Sequence, residues 1–227
     1  MKIPSHKIHI GIGQEIAKKF RLDKNLLLLG SILPDLGKSH YVSHFKISHR
    51  NYDIASFIYY RFDSADPVMV GYLVHLLTDM FYNEYVRDNK YVFDDNHKLN
   101  GIKTRNGIFY GTPREVCDKK QEGFYDYEYY LLNNNKIEEL KMVDLDKLPN
   151  IKECDYDKSD IKKYIEIHNN NIKNNKNEPK YEIFSFEELD DLYKSTLEKT
   201  NNFLKNIIRV ENKRKMYYNY SIDREGK

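Results

Sequence analysis

The residues of this chain that could do chemistry are mostly imidazoles and carboxylates, and they crowd into its first third. Of eight histidines, His6, His9, His40, His44, His49 and His75 all lie before residue 76, in company with Asp35 and followed closely by Asp79. Gly71, His75, Asp79 and Asn83 recur every four residues, so on a helix they form one stripe carrying a gap, an imidazole, a carboxylate and an amide. A histidine and an aspartate buried one turn apart need partners, and a metal ion satisfies both. Hydrogen bonding to core neighbours is the competing explanation for that pair. Imidazole and carboxylate ligands without cysteine suit zinc or another first-row divalent ion bound for hydrolysis better than a closed structural site.

These groups must be positioned by helices. Residues 66–83, DPVMVGYLVHLLTDMFYN, have Asp66 as a cap, Pro67 at the first helical position and leucines on the remaining faces, which predicts a central buried helix. Residues 5–20 predict a first helix from the spacing of Ile8, Ile12, Ile16 and Phe20, with His6 and His9 in its opening turn. The apolar run 25–33 reads as a buried helix stopped by Pro34, which leaves Asp35 where that element surfaces. Among the three histidines of residues 37–51, His44 is the one expected to point inward, because Phe45 anchors it. A short aromatic helix over 54–62 completes this half.

The remainder carries weaker signals. Residues 88–123 hold Gly101, Gly107, Gly111 and Pro113 among scattered aromatics and read as loops with a short hairpin. Helical spacing returns at 124–140, placing Asp126 and Asn133 on one face. Residues 141–180 read as irregular apart from a helix near 161–167, with His168 solvated and the Lys- and Asn-rich run 173–180 a solvated loop. A capping box at Ser185 and Glu188 opens a strong amphipathic helix over 186–210. The expected fold is therefore all-α, a multi-helix bundle with a metal site between helices. One domain spans 1–212 (metal-ligand half 1–90, loop-rich part 91–180, C-terminal helix 185–210), followed by a flexible tail over 213–227.

Composition narrows the function. Lys and Arg number 37 against 35 Asp and Glu, a net charge of +2, which leaves no electrostatic footprint for a dedicated nucleic-acid binder. Cys117 and Cys154 provide neither a disulfide framework nor a thiolate metal motif. The polar, amphipathic opening MKIPSHKIHIGIGQEI lacks the apolar run of a secretory peptide, and no stretch approaches the roughly 18 apolar residues of a membrane span, so a cytoplasmic protein is expected.

The order of motifs resembles the bacterial zinc-dependent phospholipase C family. An early histidine precedes Gly30-Ser31-Ile32-Leu33-Pro34-Asp35, then Ser43-His44-Phe45, then residues 71–79, GYLVHLLTD, and the resemblance covers residues 5–87. It implies an all-helical fold with zinc ions held between helices, within a superfamily that also contains zinc nucleases acting on phosphodiesters. It assigns Asp35, His44, His75 and Asp79 to the principal zinc site, with Asp79 reaching toward a further metal held by His9; His6 and Asp126 stand behind these as further candidates. The chain departs from the family in having Tyr85 where another histidine ligand belongs, and no His and Glu four apart downstream. One to two zinc ions, or another divalent metal, are accordingly expected.

The activity implied is that of a phospholipase C-like hydrolase, in which a metal-bound water attacks a phosphate ester. Asp35 ligates or steers that water as the catalytic carboxylate, and the substrate is a small phosphate ester or a lipid headgroup. The alternative is a metal-binding helical protein that engages a ligand or partner without turnover. A helical phosphohydrolase of the HD type ranks behind both, because no His-Asp dipeptide occurs in the sequence.

Overall fold

The computed structural model describes residues 6–48 and 51–225. Along the chain run α1 (His6–Phe20), α2 (Lys24–Gly30), α3 (Leu33–Leu36), α4 (His40–Ser43), β1 (Lys46–Ser48), β2 (Asn51–Tyr52), α5 (Ile54–Tyr60) and α6 (Pro67–Asn89). Then follow β3 (Tyr91–Phe93), β4 (Leu99–Thr104), β5 (Gly107–Tyr110), α7 (Pro113–Asn133), a 3-10 turn at Leu145–Lys147, α8 (Lys158–Asn174) and α9 (Phe186–Glu225). The chain is predominantly helical rather than purely all-α. Strands β1 and β2 pair as a small antiparallel ribbon, and β3, β4 and β5 form an antiparallel sheet in that order.

Helix α6 is the axis of the core. Asp66 accepts the Val68 N–H at 2.8 Å as its N-cap and Pro67 occupies the first turn. Every residue from 68 to 79 is buried, so the helix is covered on all sides by α1, α2, α5 and α9. Ile8, Ile12 and Ile16 of α1, and Leu27, Leu28 and Leu29 of α2, bury completely or nearly so in the same core; each such side chain contributes on the order of 1.5–3 kcal/mol.

Helices α2 and α6 cross at a pair of glycines. A Cβ on Gly71 would sit 2.0 Å from the Leu27 carbonyl oxygen, and one on Gly30 would sit 2.1 Å from that of Val68. Both obstacles are backbone, so the helices must separate to admit a methyl group. Gly71→Ala is expected to destabilise the protein by about 3 kcal/mol through overpacking, lowering the melting temperature by about 6–12 °C. A melting temperature equal to that of the wild type would contradict this tight crossing.

Several elements differ from their sequence reading for identifiable reasons. Pro34 sits in the first turn of α3, behind Leu33, instead of ending the preceding helix, since proline suits a first turn. Helix α7 starts eleven residues before 124 and ends before 140. Its start is marked by Thr112, Pro113 and Glu115, a capping box with proline at the first position that was hidden among glycines. The stretch 91–180 is thus not loop-rich: it holds a sheet and two long helices. The capping box of Ser185 and Glu188 is present, and α9 continues past 210 to Glu225, through most of the segment expected as tail. None of the described helices is long and apolar enough to cross a membrane.

Candidate metal centre

Six side chains from four elements converge. His6 and His9 come from the first turn of α1, Asp35 from α3, His44 from the residue that closes α4, and His75 and Asp79 from α6. The two carboxylates stand on either side of the imidazoles. Asp35 Oδ1 lies 3.2 Å from His44 Nε2 and 3.9 Å from His75 Nε2, while its Oδ2 lies 2.9 Å from His6 Nε2. Asp79 Oδ2 lies 3.6 Å from His44 Nε2 and 3.8 Å from His75 Nε2, while its Oδ1 lies 3.3 Å from His9 Nε2. None of the six side chains is more than 10% exposed.

Hydrogen bonding outside the cluster sets the tautomers of the two central rings. His75 Nδ1 is 2.8 Å from the Ser31 carbonyl, which can only accept, so Nδ1 carries the proton. His44 Nδ1 is 3.1 Å from Ser43 Oγ, and that hydroxyl donates its own proton to the Pro34 carbonyl at 2.7 Å. It therefore accepts from His44 Nδ1. With Nδ1 carrying a proton, the neutral form of each ring turns an Nε2 lone pair inward, and these two nitrogens approach to 3.1 Å. Burial, followed by the neighbouring His9, holds the His75 pKa well below that of an ordinary imidazole, so His75 is neutral at neutral pH.

Two inward lone pairs at that distance repel unless a proton or a metal ion lies between or beside them. The carboxylates point to the same requirement. Neither oxygen of Asp35 has a hydrogen-bond partner, nor has His6 Nε2, whose 2.9 Å approach lacks hydrogen-bond geometry. Burial pushes the Asp35 pKa up, and positive charge on the neighbouring rings, His75 and then His6, opposes it and holds the carboxyl well below its usual range; where those rings are neutral, a bound cation would take over that role. At Asp79 burial likewise opposes ionisation and is overcome by His9 and His75. Ionised, desolvated carboxylates beside inward lone pairs are what a divalent ion requires of a site. Ligand atoms of His9, His75 and Asp79 lie within 4.8 Å of one another, as do those of Asp35, His44 and His75.

The surrounding packing explains the precision. The Tyr72 hydroxyl, one turn before His75, donates to the Ser43 carbonyl and pins the turn that carries His44. The α2–α6 glycine crossing brings the Ser31 carbonyl onto His75. Ser43→Ala removes the acceptor from His44 Nδ1 and is expected to weaken metal affinity by about 10- to 100-fold with little loss of fold. Titration of chelated protein with zinc checks this, and unchanged affinity would exclude Ser43 from orienting the ring.

All five principal ligand candidates, His9, Asp35, His44, His75 and Asp79, thus meet, and His6 joins them. Asp126 does not. Its carboxylate accepts the Lys180 and Tyr181 backbone N–H groups at 2.8 and 2.9 Å and anchors that segment across α7. His168 is buried, contrary to expectation: Nε2 donates to the Glu138 carbonyl at 3.1 Å, and burial pushes its pKa down to about 4. Tyr85 turns its hydroxyl toward Glu188 at 3.5 Å. His49 lies outside the described residues.

Sequence reasoning placed Asn83 on the stripe of His75 and Asp79 but missed Ser31 and Ser43 as supports and the rest of a half-buried rim, His40, Lys46, Tyr52 and Lys120. Only the capping box before α7 could have signalled Lys120. Compared with family models, curated proteins and solved structures, the chain matches none.

Proposed function

We propose that this chain is a metal-dependent hydrolase of a phosphate ester, similar in its site to zinc-dependent phospholipase C. The observation that carries the reading is the pair of inward lone pairs on His44 and His75, flanked by two ionised and buried carboxylates. His44, His75, Asp35 Oδ1 and Asp79 Oδ2 would hold one ion; His9 with Asp79 Oδ1 would contribute to a second. When bound, such an ion lowers the pKa of water from about 15.7 toward roughly 7 and polarises a phosphoryl oxygen.

The chain's own groups would then orient and deprotonate. His6 and Asp35 Oδ2 form an imidazole–carboxylate pair at the edge of the ligand set, placed to take the proton that an attacking water gives up. The water oxygen bonds to phosphorus, the ester P–O bond breaks, and the departing oxygen leaves as an alcohol after taking a proton. Burial of the ligand set excludes bulk water and strengthens each of these electrostatic contacts.

Zinc-loaded protein should hydrolyse p-nitrophenyl phosphate or bis(p-nitrophenyl) phosphate, and a chelator should abolish the turnover. Silence toward both esters in protein that holds zinc would contradict catalysis. That outcome would favour a metal-bearing protein that binds a ligand without turnover, a role for which the replacement of a family ligand by Tyr85 speaks.

A further inference from the structure

The small ribbon β1–β2 and the early start of α7 have a common result: both bring a lysine to the same edge of the metal centre. Lys46 and Tyr52 are cross-strand partners. Lys46 Nζ lies 3.1 Å from His40 Nε2 and 5.1 Å from the centre of the Tyr52 ring, and the His40 ring in turn lies 3.7 Å from that of His44. On the other side, Lys120 Nζ donates to Asn83 Oδ1 at 3.4 Å, and Asn83 donates to the Tyr52 hydroxyl at 2.7 Å. Asn83 stands one helical turn beyond Asp79 on α6, so the chain of contacts closes around the Asp79 and His44 side of the cluster.

Among the described residues neither lysine has a carboxylate partner within 4 Å, whereas Lys90 and Lys119, which are also shielded from solvent, each have one. Burial holds the Lys120 pKa below its ordinary value, Cys117 and then Asp79 oppose that shift, and Lys46 adds to it, so the two lysines and Asp79 share one electrostatic neighbourhood. The rim is half-buried while the ligands are almost fully buried, so this edge lies between the centre and solvent. Two unpaired ammonium groups, a phenol and an amide at one mouth form a receptor for non-bridging phosphoryl oxygens.

Resting on the hydrolase reading above, we propose that Lys46 and Lys120, with Tyr52 and Asn83, bind the phosphoryl group of the substrate, and that this substrate is a phosphate monoester dianion. The charge decides the class. A monoester presents two negative charges and three free oxygens, matching both lysines beside the ion. A diester presents one charge and two free oxygens, and a diester with a cationic headgroup would bring like charge to the same rim.

The test uses non-hydrolysable probes that differ by one negative charge and one free oxygen: phenylphosphonate and its monomethyl ester, titrated calorimetrically into zinc-loaded and chelated full-length protein at about pH 8, where the second acidic proton is gone. The dianion should bind about tenfold more tightly than the ester, and Lys46→Gln and Lys120→Gln should each remove about tenfold from dianion binding alone. Zinc per chain should stay at the wild-type value in both variants, and Lys46→Arg should keep the charge preference. Equal binding of the two probes, or a preference that survives both glutamine substitutions together, would overturn the proposal. Charge-selective binding without hydrolysis of either p-nitrophenyl ester would instead remove the hydrolase reading and leave the phosphoryl site standing. If no zinc is retained, the same comparison on chelated protein decides for or against the lysines.

Discussion

Replacing Asp79 with alanine is expected to abolish metal binding and hydrolysis together. Asp79 is the carboxylate shared by the whole cluster: one oxygen faces His9 at 3.3 Å, and the other faces His44 and His75 at 3.6 and 3.8 Å. No other carboxylate among the described residues reaches His9 in this way. Loss of an outer partner of a ligand typically costs 10- to 100-fold in affinity, so loss of a shared ligand should cost at least about 100-fold and leave activity near or below 1% of wild type. Circular dichroism would verify that the helices persist, because Leu73, Leu76 and Leu77 continue to bury the faces of α6. A variant that keeps wild-type zinc content and turnover would contradict the assignment.

Zinc itself should raise the thermal stability of the chelated protein substantially. The ligands come from α1, α3, α4 and α6, and an ion would join elements that are separate in sequence by up to seventy residues. Without it the cluster holds a desolvated Asp35 carboxylate lacking hydrogen bonds and two imidazole nitrogens in opposition at 3.1 Å. A ligand present at about 1,000 times its dissociation constant stabilises the folded state by about 4.1 kcal/mol. At roughly 2–4 °C per kcal/mol for a chain of this size, the gain in melting temperature is about 8–16 °C. Protons compete for the imidazoles: His9, whose pKa Asp79 raises against the effect of burial, takes a proton first as the pH falls, and His75, held well below the ordinary imidazole value by burial, takes one last, so the gain should shrink progressively with falling pH. Differential scanning calorimetry with zinc and with chelator measures the effect. The same melting temperature in both would mean that the cluster holds no ion.

The site was far more legible in the sequence than the fold around it. His75 and Asp79 could be paired because a helical stripe at four-residue spacing fixes which side chains share a face, and Asp66-Pro67 marks where the helix begins. His9 and His6 followed from the apolar period of α1. Asp35 and His44 came from the order of short motifs, and their convergence with the others depends on tertiary packing that the sequence shows only in Gly30 and Gly71. The supports were not legible: the Ser31 carbonyl belongs to backbone, and Ser43 matters through the proton it has already given to Pro34. The rim was missed because β1 and β2 contain three and two residues, too short for any alternation to register. Lys120 was lost with the beginning of α7, where glycines on both sides of Thr112 and Pro113 resemble loop. His168 was misjudged because α8 is amphipathic along residues rich in asparagine and lysine, and its narrow apolar face alone buries Ile161, Tyr164, Ile165 and His168.

The central claim is that the histidine and aspartate cluster is a metal centre, and metal content per chain tests it most directly. Elemental analysis would be made on protein purified without a histidine tag or chelator, before and after saturation with zinc and removal of the excess. One to two equivalents of zinc or another first-row divalent ion per chain, lost when His75 or Asp79 is replaced, is the result this account predicts. No bound metal, and none retained after saturation, would contradict it.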